Sequence, residues 1–303
     1  MNRISVFALI LSVIAVGGNA GAQQYLGRSS ESRYEIVRQG MRKVVSENPQ
    51  TTRGFNIGVS NSGLPIEGVQ IGDGPIKTLV VATHHGNEYG STYVASQFLA
   101  SMAARPIPGR TVYVIPVLNI SGYNANQRHE PLTAELGSVD SNRDYPGPCG
   151  PESGEPFKLR STNLLAKFID EQEVVASMTL HTYFPSVTYP WGVGRNGTDP
   201  YLDLFRQLAS FAVEWSGYKI GNSSEVLYPA NGCFEDYAFW KHGIWSLLVE
   251  LGRSHRPSDK ELAEMAKVNI PGIAQFLEKA PVVRAVNHEF DGKCFRGISS
   301  RRE

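Results

Sequence analysis

The chain has 303 residues, 41% hydrophobic and 19% charged, with no net charge. That is long enough to bury a large core and ordinary for a globular protein. A zero balance excludes the electrostatic footprint of a nucleic-acid binder or of a protein held to an anionic membrane. In chain order, residues 1–22 come first, with Arg3, an apolar run from Ile4 to Val16, and a small-x-small end at Ala20-Gly21-Ala22. This pattern predicts a secretory signal peptide cleaved near Ala22, too short and wrongly flanked to span a membrane, and hence a secreted or periplasmic protein. Residues 23–53 read as an N-terminal segment, 54–280 as one folded domain, and 281–303 as a tail without periodicity.

Within the domain, apolar runs predict strands at Gly54–Ser60, Pro65–Ile71, Thr78–Thr83, Thr111–Asn119, Val174–His181 and Ile244–Leu251. Helical periodicity lies between them: Val94, Phe98, Leu99 and Met102 share a face, as do Leu164, Leu165 and Phe168. Asp199-Pro200 opens a further helix, Ser258 and Glu261 form a capping box, and Pro271 kinks or ends the last helix. Strands alternating with helices predict an α/β domain with a largely parallel sheet, helices on both faces, and ligands beyond the carboxyl ends of strands. The segment Gly192–Gly197 matches G-x-G-x-x-G, but it falls mid-chain without the acidic residue about 20 positions on, so it reads as a glycine-rich loop. Export places Cys149, Cys233 and Cys294 in an oxidising compartment, with one disulfide or none; spacing does not choose the pair. Asn119, Asn196 and Asn222 begin glycosylation sequons.

The stretch VVATHHGNEYG ends a greasy strand on two histidines, with Glu88 three residues after His85. A catalytic zinc takes three protein ligands and keeps one position open. His85 and Glu88 supply two, and His181, at the end of another predicted strand, supplies the third. His84 remains a rival to His85, because neighbours on an extended strand face opposite ways. The other histidines, 129, 242, 255 and 288, read as surface or structural.

Four blocks in order, HGNE (85–88), SVDSNRDYPG (138–147), LHTYFPSVTYPWG (180–192) and LYPANGCFEDYAFWKHGIWSLLVELG (227–252), resemble the zinc carboxypeptidases of the carboxypeptidase A type, the funnelin family. They cover nearly all of the chain from Gly54 to about Leu277. The resemblance implies a single-domain α/β fold with a central mixed, about eight-stranded twisted sheet. It also implies one Zn2+ on His85, Glu88 and His181, with Asp140 behind the first histidine. Glu250 would be the general base and Arg128 the oxyanion stabiliser. Asn142 and Arg143 would bind the free terminal carboxylate of a peptide substrate, and Tyr228 would close over it. The match around Arg128 is the loosest, since VLNISGYNANQRHE lacks the family's usual Pro-Asp-Gly run.

Glu235, seven residues after Tyr228, stands where the family selects the terminal side chain; a carboxylate there favours Lys, Arg or meso-diaminopimelate, the last pointing to peptidoglycan stem peptides. Asp144 replaces a common asparagine, and beside the clamp it would favour a substrate that brings an amine. Some thirty residues before the first strand leave little room for an inhibitory pro-domain. Two alternatives remain at this stage: an N-acyl amino acid deacylase of the desuccinylase/aspartoacylase type, and a non-catalytic module on the same scaffold.

Overall fold

The computed structural model describes residues 32–132, 137–150, 154–195 and 199–295. The signal-peptide reading of residues 1–22 lies outside the described residues, as do Asn196 and Gly197. The segment before Gly54 folds onto the domain as helix α1 (Arg33–Glu47), capped by Ser32 and buried along Tyr34, Val37 and Met41. The Tyr34 hydroxyl donates to Pro65 O (2.7 Å) and accepts from Glu67 N (2.9 Å), which pins the helix to the sheet.

The central sheet contains β1 (Thr52–Val59), β2 (Pro65–Ile71), β3 (Ile76–Ala82), β4 (Arg110–Ile115), β7 (Ala176–His181), β8 (Ser186–Tyr189), β10 (Lys219–Asn222) and β11 (Trp245–Glu250). Their order across the sheet is β1-β2-β4-β3-β7-β11-β8-β10. Two small ribbons pair β5 (Glu130–Pro131) with β6 (Ser138–Val139), and β9 (Gly194–Arg195) with β12 (Lys293–Cys294). The six predicted strands are present; the further two, β8 and β10, are four residues each, too short for a periodicity to show.

The largely parallel sheet read from strand–helix alternation is corrected to a mixed one, as the resemblance implied. The middle strands β4, β3, β7 and β11 run parallel, whereas β1–β2, β2–β4 and β8–β11 are antiparallel. Burial explains the sequence pattern: β4 and β7 are buried at every residue, so apart from Arg110 and His181 at their ends they read as continuous apolar and small-residue runs.

Helix α2 (Tyr89–Met102) packs on α8 (Asp259–Lys279), and α8 packs on α5 (Leu202–Val213). Helix α4 (Arg160–Glu171) lies against β1, and α7 (Phe234–His242) against β11. Short helices α3 (Ile120–Ala125) and α6 (Ser223–Val226) complete the fold. Ser258 and Glu261 do form the capping box of α8, but Pro271 does not end that helix, which continues to Lys279. Burial of Ile273, Phe276 and Leu277 on the core holds the last turns despite the missing N–H. The described helices include none long and apolar enough to cross a membrane.

Candidate metal centre and active site

Three neighbouring parallel strands deliver the centre. Strand β7 ends on His181, and β11 ends on Glu250, which is its register partner. Strand β3 ends at Ala82, opposite Leu180, and the chain then turns through Thr83, whose φ is 62°, into His84, His85 and Gly86. Gly86 has no alternative: a Cβ there would lie 2.0 Å from Gly122 C and 2.3 Å from Tyr123 N. Its N–H donates to Arg128 O (3.1 Å), so the turn carrying His85 is fastened to the loop carrying Arg128. Asn119 fastens the same pair, donating from Nδ2 to His84 O (3.2 Å) and Arg128 O (3.1 Å). Its side chain is buried, so the sequon there is no surface acceptor.

His85 Nδ1 lies 2.8 Å from Glu88 Oε1 and 3.2 Å from His181 Nδ1, which is 3.0 Å from Glu88 Oε2. All three side chains are buried. The rival, His84, turns away and meets the Tyr145 hydroxyl through Nε2 at 3.1 Å; burial holds its pKa well below the ordinary value. The donor set fits a metal on its own chemistry. His85 Nε2 faces Asp140 Oδ1 at 3.0 Å, and a carboxylate only accepts, so the ring proton sits on Nε2. Nδ1 of the neutral ring then points a lone pair at another carboxylate and another imidazole nitrogen. Such a cluster of acceptors calls for a cation at its centre. Atoms about 2.0–2.2 Å from a tetrahedral zinc stand about 3.3 Å apart, close to the spacings found here. In the metal-free chain a proton takes the cation's place. Burial would lower the His85 pKa, but the Glu88 carboxylate wins and raises it to about 9. Glu88 is correspondingly lowered: burial opposes its charge, and His85 and His181 outweigh burial.

Asp140 organises the next layer. Besides His85, its Oδ1 accepts from Asn142 N (2.9 Å) and its Oδ2 from Arg128 Nε (3.1 Å). Burial alone would raise its pKa, but His85, Arg143 and Arg128 hold it well below the carboxylate range. Arg128 also approaches Glu88 Oε1 at 3.7 Å. Glu250 faces the same cleft, its Oε2 shut off from solvent without a hydrogen-bond partner among the described residues. Burial, and secondly the Glu88 charge, push its pKa up to about 8.

Asn142, Arg143, Tyr228 and Glu235 line the cleft with His85, His181 and Glu250. Asn142 Oδ1 accepts from Phe234 N (2.9 Å), which ties its turn to the start of α7. Arg143 Nη1 donates to Asn142 O (2.6 Å) and touches Cys233 Sγ (3.3 Å), and its Nη2 reaches the Tyr228 hydroxyl at 3.3 Å. Tyr228 is 53% exposed, with its ring under the guanidinium. Glu235 is buried, and the Thr179 hydroxyl donates to it. Asp144 is placed elsewhere, which corrects its expected role beside the clamp. Its carboxylate accepts from Lys158 N (2.9 Å), Leu159 N (3.0 Å) and the Thr162 hydroxyl (2.5 Å), fastening the turn that leads into α4.

Sequence reasoning missed Asp236, which accepts from Gly192 N and Val193 N at 2.9–3.0 Å. It also missed Thr182 N, which donates to Glu88 Oε2 (3.1 Å), and the approach of His255 to the Thr182 hydroxyl (3.3 Å). Backbone donors and partners 44 or 73 residues apart leave no local signal.

A zinc carboxypeptidase family profile matches residues 37–272. The chain belongs to the zinc carboxypeptidase family. The carboxypeptidase is 23% identical over 259 residues to carboxypeptidase B of Astacus astacus, covering 72% of this chain and 85% of the relative. Among solved structures, bovine thrombin-activatable fibrinolysis inhibitor bound to tick carboxypeptidase inhibitor superposes with a TM-score of 0.74 at 18% identity, covering 82% of this chain and 96% of that one. The murein-tripeptide amidase of Escherichia coli O157 gives a TM-score of 0.53 at 17% identity, covering 75% and 92%. Both share the fold. Family membership makes the chain a hydrolase of the exopeptidase type with one Zn2+, and favours that reading over the deacylase.

Proposed function

We propose that the carboxypeptidase is exported and removes cationic C-terminal residues from peptides. The observation that carries the reading is the convergence, in one cleft, of the His85-Glu88-His181 acceptors, a high-pKa Glu250 and the Arg143 guanidinium. Zinc held by the three ligands supplies a Lewis acid that acidifies water and polarises a carbonyl oxygen. Glu250 takes a proton from the attacking water and returns it to the leaving amine; a carboxyl poised near neutrality suits both directions. Arg128, held by Asp140, places positive charge where the carbonyl oxygen gains negative charge. Arg143 pairs with the terminal carboxylate, for which its planar fork is suited, and Tyr228 folds over the bound end.

Glu235 sets the side-chain preference. It is a buried carboxylate with a threonine, not a cation, as its hydrogen-bond partner. A substrate ammonium or guanidinium would complete it. With Asp144 withdrawn into the turn before α4, what supports diaminopimelate beside Lys and Arg is the murein-tripeptide amidase fold neighbour. Export rests on residues 1–22, and the Cys149–Cys294 disulfide suits an oxidising compartment.

The test gives the zinc-loaded mature chain, beside Glu250→Gln, peptides ending in Lys, Arg, Phe or Glu and muropeptides ending in diaminopimelate, with products read by mass spectrometry. The expected result is Glu250-dependent loss of one cationic residue, with the Gln variant slower by about 10²- to 10⁴-fold. Cleavage of N-acyl amino acids with no trimming of peptides would overturn the proposal.

A further inference from the structure

The segment after α8 does not trail away from the domain. Val283 O accepts from Trp245 Nε1 (2.9 Å), and Arg284 donates to Val174 O (2.9 Å) and Ile169 O (2.8 Å). Ala285 N donates to Gly243 O (2.8 Å), and His288 Nδ1 meets Trp240 O at 2.9 Å. Phe290 then stands edge-on to Trp191 with ring centres 5.1 Å apart. Finally β12 pairs with β9, Phe295 N donates to Val193 O (3.2 Å), and Cys294 is disulfide-bonded to Cys149. The fit over residue 194 is tight: a Cβ on Gly194 would lie 2.4 Å from Lys293 O and 2.9 Å from the Phe290 ring. Gly194, within the glycine-rich stretch, therefore has a packing task.

This path ends on the two parts of the cleft that recognise the substrate's end. Cys149 closes the segment that carries Asn142 and Arg143. Gly150 O accepts from Asn231 Nδ2 (2.5 Å) in the loop after Tyr228. Val193 is gripped from both sides, its carbonyl by Phe295 N and its N–H by Asp236, the neighbour of Glu235. His181 and Glu250 are placed instead by the register of β7 with β3 and β11, pairings in which residues 286–295 take no part.

Resting on the exopeptidase reading above, we propose that residues 281–295 form a strap that sets the spacing between the Arg143 clamp and the Glu235 floor through the Cys149–Cys294 disulfide and the hold on Val193. Selection of the terminal residue then depends on the closed disulfide, whereas metal binding and bond cleavage do not.

The test compares the zinc-loaded mature chain with Cys149→Ser/Cys294→Ser and with Phe290→Ala, which keeps the disulfide. Opening the disulfide should raise KM for an Arg-ending peptide about tenfold while kcat and zinc content hold, the mark of lost binding shared by ground and transition states. Amide exchange should quicken at Gly192 and Val193 and stay unchanged in β7 and β11. Phe290→Ala should move both readouts the same way by less, and it decides the matter if the double variant does not fold. Unchanged exchange at Gly192 and Val193 would sink the strap, as would a uniform loosening accompanied by zinc loss. If the parent chain trims no peptide, the exopeptidase reading falls by itself, and exchange still decides the strap.

Discussion

At the scale of single residues the centre is a set of acceptors crowded around a place for a cation, and its titration follows from that. Because the metal-free chain holds a proton between His85 and Glu88, zinc must displace it. Below the His85 pKa of about 9, apparent zinc affinity should therefore fall about tenfold per pH unit, measurable by chelator competition between pH 6 and 8. Asp140→Asn removes the carboxylate that fixes the His85 tautomer and should weaken zinc binding about 10- to 100-fold in the same assay. On the cationic preference proposed above, Glu235→Gln would leave a substrate cation buried without its counter-charge. Since breaking such a pair costs about 3–5 kcal/mol, kcat/KM for Arg-ending peptides should drop about 10²- to 10⁴-fold while Phe-ending ones are spared. His85 and Glu88 were legible because they follow a run whose apolar character marks it as a strand, whereas Asp140 and Glu235 were placed only by the family resemblance. Asp144 was misread for the converse reason. Its neighbours in sequence suggest a clamp, but its partners lie 14 to 18 positions downstream, at the start of a helix.

At the scale of elements, the N-terminus of α4 is served by two buried acids. Asp144 holds the turn leading into it, and Glu130 accepts from the Ser161 hydroxyl (2.5 Å) with its other oxygen unpartnered among the described residues. Burial raises the Glu130 pKa from 4.5 to about 7. A raised folded-state pKa means that the native chain binds this proton more tightly than the unfolded one. The stabilisation is full below pH 4.5 and is lost as pH rises through 7. It is worth about 3 kcal/mol at most, by the rule of 1.36 kcal/mol per unit. Glu130→Gln should therefore raise Tm of the metal-free protein more at pH 8 than at pH 5, by scanning calorimetry. An equal shift at both would refute the assignment. Nothing in the string NQRHEP announced a buried acid, since burial there depends on α4 arriving from thirty residues away. Strands β8 and β10 escaped for a related reason: four residues are held as strand by their neighbours more than by their own pattern.

Across the whole molecule, the mixed, eight-stranded character of the sheet was inferred from a family likeness, whereas alternation alone suggested too parallel an arrangement. The cysteine pairing was not legible either, because a partner 145 residues away is chosen by where β9 and β12 meet. That pairing has a topological consequence. Cys149 and Cys294 close a covalent ring that contains His181, Tyr228, Glu235 and Glu250, while His85, Glu88, Asp140, Asn142 and Arg143 lie on the arm outside it. The candidate active site is thus assembled from a loop and an arm joined at one knot. A protease that cuts once anywhere within the ring should leave a single full-length species on a non-reducing gel and two fragments on a reducing one. Cut and unreduced, the chain would still hold both halves of its metal site in one molecule.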